Sequence, residues 1–137
     1  FWSTLVSVGF VLLTGAWLGK LVEASGATSI ITRTLVRAFG ESRVEWAVML
    51  TGFLVGIPLF YNAGFVILIP LVFSISATLR IPVLRVGIPM AASLSVTHGF
   101  LPPHPAPTSI ASIFQADLFT TLVYGLVIAL PAAIVAG

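Results

Sequence analysis

Two long stretches without a charged residue, 46–79 and 86–116, constrain this chain more than any other feature. Polar and helix-breaking residues interrupt both, at Phe60-Tyr61-Asn62-Ala63-Gly64 and between Thr97 and Thr108. The chain is 58% hydrophobic and 7% charged, with a mean hydropathy of +1.16, which lies far outside the range of soluble domains. The sequence therefore predicts an all-α, polytopic membrane protein with discontinuous helices or re-entrant hairpins.

A bilayer core of about 30 Å needs about 20 apolar residues per helical span. By this requirement, the whole chain is predicted to be one membrane domain with five parts. The predicted order is a span over 1–19, an amphipathic connecting helix over 20–45, a broken apolar segment over 46–79, a proline-interrupted hairpin or unwound span over 86–116, and a span over 118–137. No basic region precedes Phe1, so the first stretch is interpreted as a span rather than a signal peptide. Because the chain starts with Phe and both its ends are apolar, we expect a fragment of a longer protein.

The connecting helix is predicted from apolar residues at helical spacing opposite Arg33 and Arg37. Ser25 or Ser29 is placed to cap its start, and Gly40 is placed to end it. Asp117, directly before the last apolar stretch, is interpreted as a cap or boundary marker for the following helix.

The first uncharged stretch is too long for one straight helix, because 46–79 would extend for about 51 Å. Pro58 removes a backbone donor and obstructs the preceding turn, while Asn62 and Gly64 tolerate non-helical backbone. We therefore expect the first interruption between Pro58 and Gly64.

The second interruption contains four closely spaced prolines, Pro102, Pro103, Pro105 and Pro107, and is predicted not to be helical. The apolar pieces on either side, 86–96 and 110–114, are each too short to span a membrane alone. A re-entrant hairpin or an unwound span explains them better than an external loop, which is the alternative. Transporters place solute and ion sites at such interruptions, so the two indicate a solute pathway.

Half-helix N termini carry free N–H groups and a partial positive charge, and can bind a carboxylate without a cationic side chain. Thr108 and Ser109 are predicted to begin the helix after the prolines, and Gly64 the helix after Asn62. In the alternative interpretation, Thr108 only caps its helix. Asn62, Tyr61 and Thr97 supply polar groups that either contact the solute or bond to protein.

His98 and His104 are the only histidines of the chain and the leading candidates for proton coupling, because histidine titrates near neutral pH. The alternative is that each bonds loop carbonyls. Glu23 is a third proton-coupling candidate, although Lys20 stands three residues away and is placed to pair with it. With no cysteine and no carboxylate near the histidines, we predict neither a metal site nor a cofactor.

Other classes of function find little support in the sequence. A net charge of +2 from six scattered basic residues is too small for nucleic-acid binding, and none is predicted. An intramembrane hydrolase would need an acidic residue to orient a histidine, and no Gly-x-Ser-x-Gly motif occurs. A passive channel or a structural membrane subunit remains an alternative, because interrupted helices also line pores.

Three segments, 19–27, 51–65 and 95–108, resemble the bacterial gluconate:proton symporter (gluconate permease) family. The run Thr97-His98-Gly99-Phe100-Leu101-Pro102-Pro103-His104-Pro105 is the most specific part. The resemblance covers nearly the whole chain. Pro58 departs from the small residue expected there, and Ala106 stands where Gly is common.

The resemblance implies a multi-pass carrier of the bacterial inner membrane, about three times this length, that imports gluconate or a related sugar acid with protons. Some relatives carry D-serine, and the wider ion-transporter superfamily uses re-entrant hairpins and homodimers. We then expect the substrate carboxylate at the helix ends near Thr108 and Gly64, its hydroxyls on Asn62 and Thr97, and titration at His98 or His104.

Overall fold

The computed structural model describes residues 24–137 and, before them, positions 2, 6, 9, 10, 13, 14, 17 and 21. All regular structure in this part of the chain is helical, and the all-α prediction is confirmed. The predicted span over 1–19 is covered only at scattered positions, and Lys20 and Glu23 lie outside the described residues.

The connecting helix is α1 (Ala27–Phe39), which is shorter than the predicted segment over 20–45. Gly40 ends it with a positive φ of 74°, and the Gly40 N–H donates to the Val36 carbonyl at 3.0 Å. This ending confirms the role predicted for Gly40, since glycine adopts left-handed backbone without a steric penalty. A short 3₁₀ helix (Glu41–Arg43) then leads directly into the next helix.

The first uncharged stretch folds into α2 (Val44–Gly56) and α3 (Tyr61–Leu79), separated by a break at 57–60, the first break. The predicted interruption reached Gly64, but the helix resumes at Tyr61, so Asn62 lies in its first turn and Gly64 follows that turn. The reason is that first-turn residues need no intrahelical acceptor for their N–H groups, which makes the first turn permissive for Asn62. Pro58 lies inside the break, as predicted.

The second uncharged stretch forms α4 (Val83–Phe100) and α5 (Pro105–Ile113), separated by a break at 101–104, the second break. The prediction that all four prolines lie outside a helix is therefore wrong for Pro105 and Pro107. These two occupy the first turn of α5, where the N–H that proline lacks would have no helical partner. The helix before the break has 18 residues, about 27 Å, and is longer than the predicted apolar piece.

The last helix, α6 (Leu118–Ala136), begins where Asp117 predicted a boundary. The Asp117 carboxylate accepts the backbone N–H of Thr120 at 2.7 Å and the Thr120 hydroxyl at 2.8 Å. This is an N-cap, and it confirms the sequence interpretation of Asp117. Among the described residues, α3 and α6, each of 19 residues, are the helices long and apolar enough to cross a membrane.

Helix α4 is the centre of the assembly, and α2 packs against it in parallel. Gly52 faces Met90 and Ser93, and one turn later Gly56 faces Leu94 and Thr97. A Cβ atom at Gly52 would lie 2.9 Å from the Met90 carbonyl oxygen, so the backbones touch. Two glycines four residues apart permit this close approach of apolar helices.

Helices α3 and α6 pack against the same central helix in the opposite direction. Gly64 of α3 faces Leu94, and further along α3 Val72 faces Gly87. Gly125 of α6 faces the Phe100 carbonyl, and Gly137 lies against Pro89. Both outer helices expose large apolar side chains, among them Val66, Phe73, Phe119, Val127 and Val135.

Candidate functional site

The two breaks meet through a hydrogen bond between His104 and Gly56. Nε2 of His104 lies 2.8 Å from the Gly56 carbonyl oxygen, and the imidazole is 2% exposed. Gly56 is the last residue of α2, so no N–H of the helix donates to its carbonyl, and the donor must come from elsewhere. A carbonyl only accepts, which means that Nε2 of His104 carries the proton in this bond.

Three rings cluster where the breaks meet. The ring centroid of Phe60 lies 6.1 Å from that of His98 and 6.0 Å from that of His104. The two imidazole centroids are 4.7 Å apart. Phe60, the last residue of the first break, therefore lies beside both histidines, and the histidines contact each other.

A cavity of about 310 Å³ opens beside this cluster, and we call it the site cavity. It lies between the start of α3 and the last turns of α4, and its lining comprises Phe60, Tyr61, Asn62, Ser95 and His98. Its volume falls within the range of about 300–1,000 Å³ that is typical of small-molecule sites. Aromatic, amide, hydroxyl and imidazole groups are all present, as recognition of a polar solute requires.

The N terminus of α3 is open to the site cavity. Phe60 precedes the helix with extended backbone, and no side chain among the described residues caps the helix. The Gly64 N–H donates to the Phe60 carbonyl at 2.9 Å, so the N–H groups of the three residues before it have no acceptor within the helix. These groups and the helix dipole make this end suitable for an anion.

The N terminus of α5 is a weaker donor than the sequence indicated. Pro105 and Pro107 have no N–H, and the Thr108 N–H donates to the His104 carbonyl at 3.1 Å. Only the Ala106 N–H is left in the first turn. Thr108 and Ser109 lie in the second turn of α5 rather than at its start.

Two buried polar atoms lack a hydrogen-bond partner within the described part of the chain, Nδ1 of His98 and Oγ1 of Thr108. They lie on either side of the second break, one on the last turn of α4 and one on α5. A buried polar atom without a partner is costly, so such atoms mark places where a ligand or water completes the structure. His98 is also part of the cavity lining.

Comparison with protein-family models finds a match over the whole chain. The family model described as GntP family permease matches residues 1–137. The chain belongs to the GntP permease family. No solved structure matches it.

Several curated GntP relatives are similar over almost the whole chain. A high-affinity gluconate transporter of Escherichia coli (strain K12) is 54% identical over 98% of this chain and 31% of its own length. A Gnt-II system L-idonate transporter of the same strain is also 54% identical, with the same coverage. A gluconate permease of Pseudomonas aeruginosa is 49% identical over 100% of this chain and 30% of its own length. The chain thus spans about a third of the length of these relatives.

The family consists of permeases, and this segment is part of a membrane protein, not of an enzyme. The exposed apolar surfaces of α3 and α6 fit that setting, since helices in lipid need no polar outer face.

The structure brings together most of the residues that the sequence singled out in this GntP segment. Tyr61, Asn62 and His98 line the site cavity, Gly64 lies in the adjoining helical turn, and His104 closes the junction of the breaks. Thr97 lies elsewhere: it is buried at the contact between α2 and α4, where its hydroxyl donates to the carbonyls of Ser93 and Leu94, 3.1 and 2.9 Å away.

Sequence reasoning did not select Phe60 as a site residue, although Phe60 and Ser95 both line the cavity. Ser95 stands three residues before His98 on the same helix, so helical spacing alone places the two on one face. The sequence indicated Phe60 only as one residue of the first interruption.

Within α2 and α4, formal charge lies far from the breaks. Arg85 near the start of α4 pairs with Glu45 near the start of α2. Arg85 precedes His98 by about 20 Å along α4. In this segment, the groups placed to contact an anion in the site cavity are thus helix N–H groups and histidine rather than Arg85.

Proposed function

We propose that the protein containing this chain is a multi-pass secondary transporter of the bacterial inner membrane that imports gluconate or a related sugar acid together with protons. The observation that carries this proposal is the site cavity, where an uncapped helix N terminus and an imidazole meet between two breaks. Relatives named as gluconate transporters, and one named as an L-idonate transporter, support the class of substrate.

In this proposal the substrate carboxylate binds at the N terminus of α3. The free N–H groups of Tyr61, Asn62 and Ala63 and the helix dipole stabilise the negative charge without a cationic side chain. The amide of Asn62 and the hydroxyl of Ser95 then contact substrate hydroxyl groups. The α5 end, with two prolines in its first turn, contributes less than the sequence alone led us to expect.

Proton coupling follows from placing an imidazole in the same cavity as an anion. Moving a carboxylate inward against a negative interior is unfavourable, and a proton that travels with it offsets the charge. Protonated His98 would strengthen carboxylate binding, and by linkage the bound carboxylate would strengthen proton binding. Carboxylate binding then promotes protonation of His98, and protonation of His98 promotes carboxylate binding.

We further propose that α2 and α3 form a re-entrant hairpin and that α4 and α5 form one discontinuous span. Helices α2 and α3 lie on the same face of α4, with α2 parallel and α3 antiparallel to it. The first break, which connects α2 and α3, therefore lies level with the second break. Because Gly125 lies level with Phe100, α6 begins about 10 Å beyond Phe100, a distance that α5 would bridge. Both breaks would then lie within the membrane, where non-helical backbone is tolerated only around a cavity.

The proposal is tested with the intact protein in proteoliposomes, by uptake of labelled gluconate, L-idonate and D-serine with and without an inward proton gradient. Accumulation of a sugar acid only with the gradient, and its loss on adding a protonophore, is the expected result. Accumulation of D-serine alone would reassign the substrate. Equal gluconate flux without a gradient would point to a passive channel and overturn symport.

A further inference from the structure

The two histidines at the breaks have different surroundings. His104 is buried, and its Nε2 donates to the Gly56 carbonyl. His98 is half-buried, lines the site cavity, and has an Nδ1 without a partner among the described residues. One imidazole is therefore engaged by protein, whereas the other faces the space that a solute would fill.

The bond from His104 joins two segments that are 48 residues apart in the chain. It supplies the donor that the end of α2 lacks, and so fixes the first break relative to the second. The bond also fixes the tautomer of His104, since Nε2 must keep its proton while Nδ1 can remain unprotonated.

The two imidazoles contact each other, with ring centroids 4.7 Å apart, so positive charges on both would repel. Tyr61 is the other titratable group in the cavity lining, while Glu45 and Arg85 pair at the far ends of α2 and α4. On α6, Tyr124 is exposed and Asp117 caps the helix start.

We propose that the histidines have separate tasks: His104 is a positioning residue that holds the two breaks together, and His98 alone carries the transported proton. The role of His98 rests on the proposed proton-coupled transport, whereas the role of His104 does not. The assignment follows from access, because a proton exchanged with solute or water must reside on the imidazole that lines the cavity.

The positioning role is tested by amide hydrogen exchange of the intact protein, which requires no transport. His104→Leu should speed exchange in peptides covering residues 53–64 by about three- to tenfold, the effect of one lost hydrogen bond. His104→Gln, whose amide N–H can replace Nε2–H, should restore slow exchange. His98→Leu, which removes a ring beside Phe60 but no hydrogen bond to Gly56, is the matched control and should change exchange in these peptides much less than His104→Leu does. Equal effects of His104→Leu and His98→Leu, or no effect of either, would refute the positioning role.

The proton assignment is tested by the pH profile of gradient-driven uptake. His104→Gln should keep the wild-type profile with a rate lowered only a few-fold, while His98→Gln should lose both the pH dependence and the accumulation above equilibrium. A flattened profile in His104→Gln, or a normal one in His98→Gln, would overturn the assignment. If the wild-type protein showed no gradient-driven uptake, the proposed function would fail, and with it the proton assignment, while the exchange experiment would still decide the role of His104.

Discussion

Gly56 lies directly against Thr97, so closely that a Cβ atom at position 56 would come within 3.2 Å of the Thr97 Cβ and overlap its hydroxyl. The contact lies one turn beyond the similar contact of Gly52 with Ser93. Thr97, which the sequence indicated as a solute contact, therefore has a clear packing role between α2 and α4. Its hydroxyl already donates within its own helix.

Substitution of Gly56 by alanine should separate α2 from α4. We expect Gly56→Ala to lower the free energy of unfolding by about 1–3 kcal/mol, as overpacking of a tight contact does. Thermal unfolding of the intact protein in detergent measures the change.

Gly99→Ala is the matched control for that experiment, since a Cβ atom there meets nothing within 4 Å. It should be neutral or slightly stabilising, because alanine favours the helix. Combining Gly56→Ala with Thr97→Ala removes the overlapping hydroxyl and should recover part of the loss. Full additivity of the two single changes would contradict the contact.

The proposal that a helix end binds the carboxylate can be tested with proline, which deletes one N–H but is tolerated in a first helical turn. Ala63→Pro removes a free N–H from α3 and should raise KM for gluconate by about tenfold or more, the effect of a lost bond to a charged group. Ala106→Pro removes the one free N–H of the α5 first turn and should change KM little. A larger effect of Ala106→Pro would move the carboxylate to α5.

Ser95 should contribute to binding through its hydroxyl in the site cavity. We expect Ser95→Ala to raise KM for gluconate by about two- to tenfold, the usual range for one neutral hydrogen bond, with kcat less affected. Ser112→Ala is a suitable control, since Ser112 is exposed on α5 and lies outside the cavity lining. Equal KM values for both variants and wild type would remove Ser95 from the site.

Acid should loosen the start of α6. The backbone N–H of Thr120, and then its hydroxyl, donate to Asp117 and hold the pKa of that carboxyl below its ordinary value. Because the folded pKa is the lower one, the stabilisation is complete above the unfolded value of about 3.9 and is lost as pH falls through the folded value.

Asp117→Asn should therefore flatten the decline of the melting temperature below about pH 4, since asparagine still caps a helix but does not titrate in this range. Thr120→Val, which removes the hydroxyl donor, should reduce the pH dependence only in part. Melting temperatures of the intact protein between about pH 3 and pH 7 provide the comparison. An acid limb that is the same in all three proteins would show that other carboxyl groups dominate.

Local chemistry made much of this architecture predictable from the sequence. Gly40 and Asp117 act within one helical turn, so their roles as helix end and helix start follow from residue type alone. Pro58 likewise indicated the first break. Pro105 and Pro107 misled because the effect of a proline depends on whether it enters a first turn or an interior turn, and the sequence does not mark that difference.

The junction of the two breaks was beyond sequence reasoning. Nothing in the spacing of Gly56 and His104 shows that one accepts a hydrogen bond from the other, because that contact is made only when α2 packs against α4. The separate surroundings of His98 and His104 depend on the same packing. Both residues were found from their chemistry, and only the tertiary structure distinguishes them.

The interlocking of Gly52 and Gly56 with Ser93 and Thr97 leaves α2 and α4 no room to slide past each other. A transporter must expose its site alternately to the two sides of the membrane, and a pair of helices joined this tightly moves as a single rigid body. Helix α3 has fewer buried residues than α2, namely Gly64, Leu68, Val72 and Ile75, so it is the more easily displaced wall of the cavity. Under the proposed function, alternating access in this segment would arise from rocking of α3 against a fixed α2–α4 frame.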